Sequence, residues 1–202
     1  MSSIINATTS AGLTVTPDNS GQIQFQLNGN NSLSLTSTGV SGFISTANNG
    51  IAIPTTSGTI VPISTAIPSW VKRITVMFNQ VGTNATSTFL MLQIGSGSFS
   101  TSGYSSSIWT NASSGQSTAG FIVFSNSGSA SYFGTGVVVL NLIGSNTWIA
   151  SGNMGYDNVA STAWSSAGRS PALSGPLDRI QITTPLGTAA FTNGSINILY
   201  EG

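Results

Sequence analysis

The chain has 202 residues, no cysteine, no histidine and a net charge of zero, and only 4% of its side chains are charged, against roughly 25% in an ordinary soluble domain. That balance excludes a disulfide framework, thiolate or imidazole metal sites and histidine-based catalysis. It also argues against non-specific attraction to nucleic acid or to an anionic membrane surface.

Period-two alternation recurs along most of the chain, and no segment has a convincing helical period. In the first part, Leu13 and Val15 precede the alternating run Ile23, Phe25 and Leu27, and Leu33 and Leu35 follow it after the turn-forming Asn28-Gly29-Asn30-Asn31. These seven apolar residues mark short strands whose faces are too small to offset the ordering entropy of one copy. They are the expected contacts of an anchoring module in which several chains are wound or packed together. Residues 54–68 are punctuated by Pro54, Pro62 and Pro68, and the boundary of this N-terminal module is placed at residue 66.

Residues 67–202 hold longer and more apolar runs. Eight strands are expected at about 71–81, 87–95, 105–110, 119–125, 136–143, 147–154, 178–184 and 194–200, a number and spacing that fit a jelly-roll β-sandwich. The run Val137-Val138-Val139-Leu140 lacks alternation, which predicts a strand covered on both faces, as at a subunit interface. Residues 155–177, rich in Gly, Ser and Pro, carry no clear strand signal and are expected to form a large loop at one end of the sandwich. The fold class is thus all-β, a small N-terminal β module followed by a sandwich.

Monomeric sheet proteins blunt their exposed edges with charge, and interface cores are poor in it. A nearly charge-free β protein therefore suits a part of an assembly. Mean hydropathy of +0.24 supplies a real core and separates the chain from disordered, highly charged segments. No apolar run reaches the ~20 residues of a membrane helix, and the N-terminal residues do not read as a secretory signal.

The acidic groups are Asp18, Asp157, Asp178 and Glu201. Glycoside hydrolysis needs a pair of carboxyl groups, and these read better as turn, strand-end and ion-pair residues, so the chain is read as no enzyme and as holding no cofactor or metal. Trp109, Trp148, Trp164, Tyr104, Tyr132 and Tyr156 lie among Ser, Asn and Gly, the chemistry of a surface that stacks on sugar rings. Trp148, inside an expected strand, reads as core. In the expected loop, Tyr156, Asp157, Trp164 and Arg169 form the candidate glycan-contact set.

The segment Thr9-Ser10-Ala11-Gly12-Leu13-Thr14-Val15-Thr16-Pro17-Asp18-Asn19-Ser20-Gly21, continued through 22–27, resembles the short β segments of tailed-bacteriophage fibre and appendage proteins. Trp70-Val71-Lys72-Arg73-Ile74-Thr75-Val76-Met77-Phe78, Leu177-Asp178-Arg179-Ile180-Gln181-Ile182-Thr183-Thr184 and Asn193-Gly194-Ser195-Ile196-Asn197-Ile198-Leu199-Tyr200-Glu201 are similar to the C-terminal domain of many such proteins. The resemblance implies a homotrimeric virion structural protein, attached to head or tail, with a jelly-roll-like head. Its partners would be itself, other virion proteins and a host surface glycan. The short length, without an extended repeat, keeps a capsid cement protein as the alternative; a carbohydrate-binding module or depolymerase is the reading outside that class.

Overall fold

The computed structural model describes residues 51–202, except 111–113, 127 and 159–161, and the backbone of strands at 23–27, 30–36, 39–41 and 44–46. All regular structure among these residues is β, and the chain divides into two units, Met1–Phe43 and Ile44–Gly202.

In the first unit, β1 (Ile23–Leu27), β2 (Asn30–Thr36) and β3 (Gly39–Ser41) form an antiparallel sheet in that order. The register sets Ile23 opposite Leu35 and Phe25 opposite Leu33, and a bulge after Phe25 leaves Leu27 opposite Asn30. Alternating apolar positions thus meet alternating apolar positions across the hairpin, as period-two patterning requires. Leu13 and Val15, and the side chains of this whole module, lie outside the described residues.

The second unit is a sandwich of two antiparallel sheets. Its strands are β4 (Ile44–Thr46), β5 (Ile53–Pro54), β6 (Ile60–Ser64), β7 (Arg73–Thr83), β8 (Phe89–Ser96), β9 (Ser98–Phe99) and β10 (Ser105–Trp109). They continue as β11 (Ser114–Ser117), β12 (Phe121–Ser125), β13 (Gly134–Gly144), β14 (Thr147–Tyr156), β15 (Ala163–Arg169), β16 (Arg179–Thr183) and β17 (Phe191–Glu201). The large sheet runs β11-β10-β15-β14-β13-β7-β17-β4 with β5 also on β17, and the small sheet runs β12-β8-β16-β6 with β9 on β8. The pairings β7–β17, β8–β16 and β10–β15 are nested, outer with outer and inner with inner, as a jelly roll winds. The β13–β14 hairpin is inserted between β7 and β15. Its turn residues Ser145 and Asn146 both have positive φ, 47° and 54°, the backbone that a tight two-residue hairpin needs.

The module boundary differs from expectation. It falls between Phe43 and Ile44 rather than near residue 66. Pro54 ends β5 opposite Ser195, and Pro62 lies opposite Gln181 in β6, the edge of the small sheet. A proline fits an edge strand because its missing N–H costs no ladder bond there. The prolines therefore mark sheet edges, not a linker.

The core lies between the sheets. Ile74, Val76 and Phe78 of β7 and Ile196, Ile198 and Tyr200 of β17 meet Leu90, Leu92 and Ile94 of β8 and Ile180 and Ile182 of β16, all buried. Trp148 of β14 is buried too, as its place inside an expected strand predicts. The expected strands are present at their expected places, with two corrections.

The first concerns residues 155–177. Tyr156 ends β14, and β15 crosses the middle of the segment, paired to β14 on one side and β10 on the other. Its inward positions are Trp164 and Ser166 and its outward ones Ser165, Ala167 and Arg169. With Ser, Ala and Gly in place of aliphatics, the alternation has too little hydropathic contrast to register. The second concerns Val137–Leu140. Val138 and Leu140 are fully buried, yet Val137 is 41% exposed and Val139 only partly covered. The strand carries apolar side chains on both faces, and the described residues cover only one.

Candidate functional site

The structure does not bring the four expected glycan-contact residues together. Trp164 is 2% exposed and turns its ring edge to Tyr156 at 6.5 Å between centroids. It has no face to offer a sugar. Tyr156 is half-buried against Phe124 and Tyr132, with centroids 5.3 and 4.8 Å away, and its hydroxyl donates to the Ser125 carbonyl at 3.0 Å. Burial pushes its pKa up. Both rings pin the end of the large sheet to the core.

Asp157 and Arg169 are exposed but stand at opposite ends of the sheet. Arg169 lies opposite Ile149, near the start of β14, and Asp157 follows the last residue of that strand. Eight residues of extended chain separate these levels, about 27 Å. The Asp157 carboxylate accepts from the Gln80 side-chain amide at 2.5 Å and lies 3.4 Å from Thr135 Oγ1. Tyr104, also among the candidate aromatics, is core: its hydroxyl accepts from the Ile94 N–H at 3.0 Å, and burial pushes its pKa up to about 12.

The remaining charges are mostly spent in pairs. Asp178 accepts from Arg179 through two bonds, of 2.7 and 3.1 Å, and from the Gly97 N–H at 3.0 Å. The guanidinium beside it holds its carboxyl below the usual range. Arg73 faces Glu201 at 3.5 Å across β7 and β17. Among the described residues, Lys72, Arg169 and Asp157 are the charged side chains outside these ion pairs.

What the fold does assemble is a broad outer face on the large sheet. Reading across the register, one level of this face runs Asn197, Met77, Val137, Asn153, Ser165 and Trp109. The next runs Leu199, Thr75, Val139, Ser151, Ala167 and Ser107. Trp109 is 62% exposed and Ile149 39%. Between β13, β14 and β15 the face dips into a shallow depression of about 620 Å³, lined by Val137, Val139, Ser151, Gly152, Asn153 and Ser165 among others. Beneath it, a Cβ at Gly152 would sit 2.4 Å from the Val137 carbonyl oxygen and 2.7 Å from a methyl of buried Val138, so glycine there lets β14 lie close against β13. On its floor the Ser165 hydroxyl donates to Asn153 Oδ1 at 2.7 Å.

This face has the chemistry of a docking surface, with apolar and hydroxyl groups, an exposed tryptophan and charge only toward its ends. Sequence reasoning found its ingredients without its shape. The one legible signal was the run Val137–Leu140, whose missing alternation marks an apolar outer face.

Comparison of the chain with protein-family models, with curated proteins and with solved structures finds no match.

Proposed function

We propose that the chain is a structural protein of a tailed-bacteriophage virion, a homotrimeric appendage of fibre or spike type that acts by assembly and not by turnover. The observation that carries this reading is the outer face of the large sheet, apolar at Val137, Val139 and Ile149 and with no charge along the level of Val137. Large apolar patches on soluble proteins are interaction surfaces, and a chain with so little charge is suited to life inside an assembly. The resemblance of both modules to phage appendage proteins supplies the class. The β1–β3 sheet is the anchoring part, and the sandwich faces outward.

The short chain keeps capsid cement as the second reading. Sedimentation of the full-length chain should give a trimer at micromolar concentration; a monodisperse monomer overturns the reading. Cryo-EM of intact particles separates the two placements. An appendage projects from a head or tail vertex, whereas cement lies on the shell, and removing residues 1–43 then lowers the particle's resistance to heat.

A further inference from the structure

The outer face of the large sheet has a symmetry in its chemistry. Arg169 and Asp157, opposite charges each outside any ion pair among the described residues, stand toward its two ends, Arg169 as the last residue of β15 and Asp157 just after the last residue of the neighbouring β14. Arg169 is level with Ile149, four residues before Asn153, and Asp157 is four residues after it. The level of Asn153, with Val137, Ser165 and Trp109, is therefore the midline between the charges.

We infer that a second copy of this chain packs face to face on this surface with its strands reversed, about a twofold axis along that midline, and that Arg169 of each copy pairs with Asp157 of the other. Reversal about the midline exchanges the two charged ends. It leaves Arg169 one strand spacing, about 4.8 Å, to the side of the point facing Asp157, within reach of an arginine side chain. On the midline each residue meets its own copy, and none of the six residues there is charged, so the axis creates no like-charge contact. Trp109 and Val137 supply its apolar centre, and exposed tryptophan is the residue type that anchors interfaces best.

The occupant is a second copy because the match is internal to the surface. An isologous contact needs one patch that complements itself, and here cation and anion lie equally far from an uncharged centre. The size also fits. Six strands at ~4.8 Å spacing and about seven residues of extended chain give roughly 650 Å² in projection, near the ~800 Å² per partner of a standard interface. This contact goes beyond the proposed virion role and is separate from assembly through the N-terminal module.

The test uses the full-length chain, whose lack of cysteine makes introduced thiols unique. A chain carrying both Arg169→Cys and Asp157→Cys, treated with a short bismaleimide, should give a covalent dimer; each single variant should give none. An intrachain link is out of reach at about 27 Å. In parallel, Arg169→Asp should weaken the twofold association roughly tenfold, and adding Asp157→Arg should restore it. No interchain product, equal product from the single variants, a ladder that reaches trimer, or association indifferent to Arg169→Asp would each overturn the inference. Sedimentation keeps its failure apart from that of the virion reading: a trimer without the cross-link removes only this face, whereas a monomer removes both.

Discussion

At the residue scale, the same side-chain type serves opposite ends in this chain, and neighbours decide which. Trp164 and Trp109 sit on adjacent strands, yet one is 2% and the other 62% exposed. Burying a tryptophan stabilises by dispersion and by removing apolar area from water. Trp164→Ala should therefore cost about 3–5 kcal/mol of stability, read as a lower melting temperature. Trp109→Ala should change the stability of the unassociated chain by less than about 1 kcal/mol. Equal melting of the two variants would refute the assignment of Trp164 to the core. The expectation that Trp164 meets a sugar failed because Ala163-Trp164-Ser165-Ser166 has the composition of a loop. In a strand so rich in serine and glycine, the parity of a single aromatic residue cannot be read without its partners. Trp148, followed by Ile149 and Ala150 inside an apolar stretch that reads as a strand, was legible as core.

At the scale of elements, β17 is the strand on which the large sheet depends. It pairs with β7 along most of its length and with β4 and β5 on its other side. Ile196 and Ile198 are fully buried and Tyr200 nearly so. Removing residues 194–202 would open that pairing and expose the facing side chains of β7 and β8. We expect the truncated chain to fail to fold as a soluble protein; unchanged melting and unchanged circular dichroism would count against this. The strands rich in Val, Ile and Phe were legible, β7 and β17 from their alternation and β12 and β13 from continuous apolar runs. The strands of the sandwich that were missed are β4, β5, β6, β9, β11 and β15, which are short, proline-bearing or built from Ser and Gly. Their place in the sheets comes from hydrogen bonds to stronger neighbours, which local patterning does not encode.

For the whole molecule, the scarcity of ionisable groups predicts an unusual pH profile. The chain has no histidine and no cysteine, so it carries no imidazole or thiol to titrate near neutral pH, and thermal stability should be flat there. Below it, Asp178 has its folded pKa depressed by Arg179. That contribution is present above the ordinary carboxylate value and is lost as the pH falls through the lowered one. Above it, burial raises Tyr104 to about 12, and Tyr156 and Tyr200 shift the same way. The unfolded chain loses these phenolic protons near pH 10 while the folded chain keeps them, so stability should fall as the pH rises from about 10 towards 12. Melting temperatures at half-unit pH steps test both limbs; a transition near pH 6–7 would contradict the profile.

The amino-acid sequence by itself determined the fold class, most strand positions and the division into a small module and a sandwich, because alternation and charge content are local properties that survive without coordinates. Only the tertiary structure decided where the units divide, that residues 163–169 form a strand, and which of the candidate residues are neighbours. It separated Asp157 from Arg169 by the length of a strand and turned Trp164 inward. It also gathered Val137, Asn153, Ser165 and Trp109, distant in sequence, onto one exposed level. Those relations depend on the register between strands far apart in the chain, and register is set by the summed packing of both sheets and not by any one segment.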